Sequence, residues 1–79
     1  MGSFGVNLRN IRNGWGETLV DLASILDTNV STVSQWENGK RTPGNDILKL
    51  LSLHYQVTID DLLYGDFSEF PSVLLQSFK

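Results

Sequence analysis

Residues 22–39 read Leu22-Ala23-Ser24-Ile25-Leu26-Asp27-Thr28-Asn29-Val30-Ser31-Thr32-Val33-Ser34-Gln35-Trp36-Glu37-Asn38-Gly39. Leu22, Ala23 and Leu26 share one helical face, which extends back to Leu19 and predicts a helix over 19–26. Asp27-Thr28-Asn29 is a turn, and Thr28 or Asn29 can cap a following helix of about 30–37. Asn38-Gly39 stops that helix. Two short helices joined by so tight a turn must cross steeply, and Ala23 is where such a crossing needs a small side chain. Val33 and Trp36 lie three apart and pack inward. The opposite face then carries Val30, Ser31, Ser34 and Gln35. Small and hydrogen-bonding residues near a helix N-terminus suit an exposed helix that enters a nucleic-acid groove.

Outward from this unit the pattern stays helical. Phe4, Leu8, Ile11 and Trp15 recur at helical spacing, predicting a helix over 4–13 with Trp15 in the core. Asn13-Gly14-Trp15-Gly16 breaks it. Thr18, with Asp21 three residues on, reads as a capping box. After the second unit, Gly39 to Gly44 form a loop in which Pro43 holds Thr42 extended. Asn45 or Asp46 opens a helix running to Tyr55. Thr58-Ile59-Asp60-Asp61 reads as another capping box, opening a short helix that ends at Gly65. The expected fold is all-α: a compact five-helix domain over 1–65, followed by a tail over 66–79. Pro71, with Val73, Leu74 and Phe78 behind it, suggests one further helical turn.

The chain has 79 residues, enough for one domain. With 41 % hydrophobic and 19 % charged residues it is not a disordered chain. Cysteine is absent, which removes disulfides and thiolate sites and fits a reducing, cytoplasmic setting. The lone His54 sits amid leucines and reads as a packed or half-exposed residue. No metal or cofactor is expected. No window approaches a membrane span, and none reads as a signal peptide. Net charge is −3, yet Arg9, Arg12, Lys40, Arg41 and Lys49 balance Glu17, Asp21, Asp27, Glu37 and Asp46 in the first 49 residues. The deficit sits at Asp60, Asp61, Asp66 and Glu69. A neutral front with a few placed cations can still bind DNA, with weak non-specific affinity.

The sequence resembles the Cro-like, Xre-type helix-turn-helix domains of phage repressors and many bacterial regulators. The matching residues run from Leu8 to Leu63. They include Leu8-Arg9-Asn10-Ile11-Arg12, Leu22-Ala23, Val33 to Pro43, Leu48-Lys49-Leu50-Leu51, and Val57 to Leu63. The resemblance implies a third helix that reads the major groove of double-stranded DNA. It implies base contacts by Val30, Ser31, Ser34 and Gln35, flanked by Asn29 and Thr32. It implies phosphate contacts by Asn38, Lys40 and Arg41, and a structural salt bridge between Arg12 and Glu37. Three positions depart from the family. Leu19 stands where a phosphate-holding Gln is common, and Asp27 and Gln56 stand where turn glycines are usual.

A transcriptional repressor acting as a homodimer is the expectation. Ile47, Leu50 and Leu53 form a second apolar row on the fourth helix, and Phe67, Phe70 and Leu74 supply matching material in the tail. An exposed apolar row of that size marks an interface. The tail can instead fold over its own fourth helix. No serine has a histidine and carboxylate in reach, so catalysis is not expected; Asp60 and Asp61 favour a helix start. The alternative reading is a protein-interaction module on the same fold, such as an antitoxin or bridging factor. The chain can also be the N-terminal half of a longer regulator.

Overall fold

A computed structural model describes residues 3–65 and residue 67. It contains five helices: α1 Phe4–Gly14, α2 Leu19–Ile25, α3 Val30–Glu37, α4 Asn45–Tyr55 and α5 Ile59–Tyr64. No strand occurs among the described residues. Local chemistry sets the boundaries. The Thr18 hydroxyl accepts from the Asp21 N–H, and the Asp21 carboxylate accepts from the Thr18 N–H, closing a full capping box. Asn29 caps α3 and Thr58 caps α5 through the Asp61 N–H. α4 starts at Gly44 with no side-chain cap bond.

Three helices end in the same way. After α1, α2 and α3 the next turn carries a left-handed residue, respectively Gly16, Asp27 and Gly39. The chain then closes back with paired bonds, such as Thr28 N–H to the Ala23 carbonyl and Asp27 N–H to that of Ser24. These bonds satisfy carbonyls that a helix C-terminus otherwise orphans. Gln56 ends α4 in the left-handed region as well.

Each helix places at least one fully buried apolar side chain in a shared core: Leu8 and Ile11, Leu22, Val33, Leu51, and Leu62. Burying each contributes about 1.5–3 kcal/mol, so no helix is dispensable. α2 packs on α3, α1 on both α3 and α5, and α4 on α5. The α1–α3 approach depends on Gly5. A Cβ there would lie 2.5 Å from the Glu37 carbonyl oxygen and 2.7 Å from that of Trp36. Asn7 is fully buried in α1 and caps α5 from outside: its Nδ2 donates to the carbonyls of Leu62 (2.9 Å) and Gly65 (3.0 Å). Its Oδ1 accepts from the Phe67 N–H at 3.3 Å.

Two expectations change. Trp15 is not a core residue; it is 43 % exposed, because α1 stops at Gly14 and leaves Trp15 as the C-cap. Its ring lies against His54 and Tyr55, with centroids 5.5 and 5.6 Å away. Nor is Ile47 part of a fully exposed row, since it is half-buried against the core. Phe67 also packs, partly buried, on the domain's own core. Phe70, Val73, Leu74 and Phe78, with the helical turn expected after Pro71, lie outside the described residues.

Candidate nucleic-acid interface

α3 presents two faces. Val33, Trp36 and Glu37 are buried. Val30 and Ser31 are exposed, and Ser34 and Gln35 are half-buried at the edge of the same outer face. Val30 borders an open groove between α2 and α3, lined also by Val20, Ala23, Ser24 and Asn29. Ser31 and Gln35 make no side-chain hydrogen bond to another described residue. Their donors and acceptors therefore stay open to a ligand.

Asn29 and Thr32 are already engaged. The Asn29 Oδ1 accepts from the Thr32 N–H at 2.8 Å and from its hydroxyl at 2.9 Å. Their work is to begin α3 and fix the turn after Asp27. At the other end, Gly39 reverses the chain. The N–H groups of Lys40 (2.9 Å) and Arg41 (3.3 Å) both donate to the Gln35 carbonyl. These bonds close the C-terminus of α3, so both cations follow directly on the end of the helix. Their side chains are exposed and have no ionic partner among the described residues. Asn38 lies between them and the outer face. Its Oδ1 accepts from Arg9 Nη2 at 3.0 Å, and its Nδ2 donates to the Ser34 hydroxyl at 3.2 Å.

The face is braced from behind. Arg12 Nε donates to Glu37 Oε2 at 2.6 Å and Nη2 to Oε1 at 3.1 Å, while Nη1 reaches the Glu17 carbonyl at 2.7 Å. Arg9 Nε adds a longer contact to Glu37 Oε1 at 3.4 Å. The hydrogen bond to Glu37 raises the Arg12 pKa, against an opposing effect of burial. A second brace joins the α1–α2 link to α4. Glu17 accepts from the Tyr55 hydroxyl at 2.5 Å, and its other oxygen meets His54 Nε2 at 2.6 Å. Burial, then the bond to Glu17, pushes the Tyr55 hydroxyl well above its ordinary range.

Gly5, Asn7, Arg9, Glu17 and Tyr55 were not legible as parts of this arrangement. Arg9 carried one usable signal: it lies three residues before Arg12, on the same side of α1. Chemically, the assembled surface offers two cations without an ionic partner among the described residues, hydroxyl and amide groups on the outer side of α3, and one exposed valine.

Known proteins share this fold. The model of a family described as helix-turn-helix matches residues 8–62. The HTH-type transcriptional activator BcrR of Enterococcus faecalis is 38 % identical over 63 residues, covering 80 % of this chain and 31 % of the relative. The chain thus spans about a third of that relative's length. Among solved structures, the P22 c2 repressor in complex with synthetic operator 9T superposes with a TM-score of 0.77 at 27 % identity. That match covers 84 % of this chain and all of the other. A transcriptional regulator from Listeria innocua superposes at 0.75 with 22 % identity, over 98 % of this chain and 78 % of the other; it shares the fold. By its helix order, its matched residues and the unit from Leu22 to Gly39, the chain belongs to the helix-turn-helix family, in its Cro-like, Xre-type form.

Proposed function

We propose that this domain binds duplex DNA sequence-specifically and regulates transcription as a repressor, with α3 laid in the major groove. One observation carries the reading: an outer α3 face of Val30, Ser31, Ser34 and Gln35 leads, at the helix C-terminus, into exposed Lys40 and Arg41, which have no ionic partner among the described residues. In this reading Ser31, Ser34 and Gln35 contact base edges and Val30 meets a thymine methyl. Asn38, Lys40 and Arg41 hold phosphates and fix the register, while Asn29 and Thr32 flank the site by shaping the start of α3. The similarity to a repressor solved with an operator supports DNA as partner, and regulation of transcription is common to that repressor and the activator BcrR. The role is one of binding and needs no cofactor, and it assigns the domain to the cytoplasm, where the template is. No helix among the described residues is long and apolar enough to cross a membrane.

A second copy of the chain is part of the proposal. A nearly neutral front supplies few counterion-releasing contacts, so one domain alone binds weakly. Leu50 (46 % exposed) and Leu53 (76 %) leave an apolar strip on α4 for a two-fold partner. The same strip also suits a protein-interaction module.

Selection of bound duplexes from a random pool tests the reading. The expected result is a defined half-site, read with an affinity that falls steeply with salt. Failure to retain any duplex at low salt would leave the interaction module as the better account.

A further inference from the structure

We propose that Arg9 is a positioning residue that sets the hydrogen-bond polarity of the α3 face through Asn38 and Ser34. The proposal rests on the DNA-binding reading above and deepens it. A guanidinium carries donors only. The contact at 3.0 Å between Arg9 Nη2 and Asn38 therefore decides which way that side-chain amide faces, with Oδ1 toward Arg9. The amide nitrogen is left toward Ser34, to whose hydroxyl oxygen it donates at 3.2 Å. Without Arg9 no donor-only neighbour fixes which end of the amide faces α1.

Two consequences follow at the surface. Ser34 has one lone pair engaged by Asn38, and its O–H has no acceptor among the described residues, so it faces outward as a donor. Asn38 keeps one N–H free, and its carbonyl, which would repel a phosphate, is tied back. The edge between helix and loop thus offers donors to an electron-rich ligand: a base-edge acceptor for Ser34 and a phosphate oxygen for Asn38. Arg9 is itself held by Glu37, which Arg12 anchors in the core. The chain of contacts runs from a buried ion pair to the reading face, so the donor pattern is fixed before DNA arrives.

Arg9 and Ser34 make no hydrogen bond to each other, so energetic coupling between them on DNA is specific to this relay. The test is a double-mutant cycle on the full chain, using the duplex obtained by selection. Arg9→Met should lower affinity about tenfold in the parent, the effect of losing one properly aimed hydrogen bond. In a Ser34→Ala background the same change should cost under about threefold, because the group it positions is gone. In the free protein, Arg9→Met should also shift the Asn38 side-chain amide signals in a nitrogen-15 NMR spectrum. If Arg9→Met does not fold, Arg9→Gln, whose amide can present either a donor or an acceptor to Asn38, replaces it in the same cycle. Additive losses, or unmoved Asn38 amide signals, would overturn the relay while leaving α3 as the reading helix. A parent chain that selects no duplex would overturn the DNA reading and this proposal with it.

Discussion

Arg12 and Glu37 lock α1 to α3 by a two-pronged ion pair, with both side chains almost out of solvent. Glu37 follows the core residue Trp36, and Arg12 follows the core residue Ile11, so the pair sits at the rim of the core, where water screens it little. Removing one partner strands the other. Glu37→Gln is expected to cost roughly 3–5 kcal/mol at the upper end. In a domain this small that lowers the melting temperature by more than about 10 °C. A thermal melt followed by circular dichroism measures it; a variant that melts like the parent but loses DNA would assign Glu37 to binding instead.

Gly5→Ala tests the α1–α3 approach. Alanine gains about 1 kcal/mol of helix propensity over glycine. Its Cβ would meet two backbone carbonyl oxygens, which cannot swing aside as a side chain would. Overpacking of that kind costs about 1–3 kcal/mol, so the net effect is loss of stability. A lower urea midpoint with an unchanged slope is the expected result.

The contrast between these two positions shows what a sequence discloses. Helix starts and stops were legible because their chemistry is local. Thr18 with Asp21, Asn29, and the left-handed Asp27 and Gln56 all act within a few residues of themselves. The polar face of α3 was legible because its inward partners, Val33 and Trp36, declare the helix phase. Gly5 and Asn7 were not, because their roles depend on which distant backbone crosses them. Trp15 misled for a related reason. The spacing Leu8, Ile11, Trp15 continues a buried stripe, but the helix ends one residue too soon. Its indole then lies over His54 and Tyr55.

Gln56→Gly should stabilise the domain. Gln56 holds φ at 57°, a region that costs a residue with a Cβ about 1–2 kcal/mol. Part of that gain is lost to the greater freedom of glycine in the unfolded chain. A rise in stability of about 0.5–1 kcal/mol is expected, seen as a higher urea midpoint. A fall would mean that the Gln56 side chain contributes more than its backbone strain removes.

Tyr55 gives stability a dependence on alkaline pH. The folded chain holds the Tyr55 proton, while the unfolded chain releases it from about pH 10. The contribution is therefore intact below that pH and is lost progressively above it. Urea midpoints measured from pH 8 to 11 should fall faster for the parent than for Tyr55→Phe, which has no proton to release. Parallel curves would show that the hydroxyl is not held by burial and Glu17.

The contacts proposed for α3 and its loop predict two different kinds of loss on DNA. Gln35→Ala should cost about 1–3 kcal/mol on the selected site and relax preference at one base position. Lys40→Ala should weaken binding to all sequences alike and reduce the salt slope by about one unit. Binding isotherms at several salt concentrations, on the selected and a scrambled duplex, separate the two. Equal losses on both duplexes for Gln35→Ala would remove it from the set of base-reading residues.

The dimer proposal turns on α4. Leu48, Leu51 and Tyr55 give α4 its own core face, so Leu50 and Leu53 are surplus to the fold. Tyr64 on α5 is likewise 74 % exposed. Phe67 packs on its own domain and so contributes less to a partner than its aromatic ring suggests. A charge at Leu53 should therefore break association without harming folding. Leu53→Lys is expected to melt within about 0.5 kcal/mol of the parent, as surface changes do. It should also sediment as a monomer and lose cooperative binding to paired half-sites spaced by about 34 Å, one helical turn. Should the parent itself sediment as a monomer at high micromolar concentration, no dimer forms through this strip. Leu50 and Leu53 would then be left to a different protein partner.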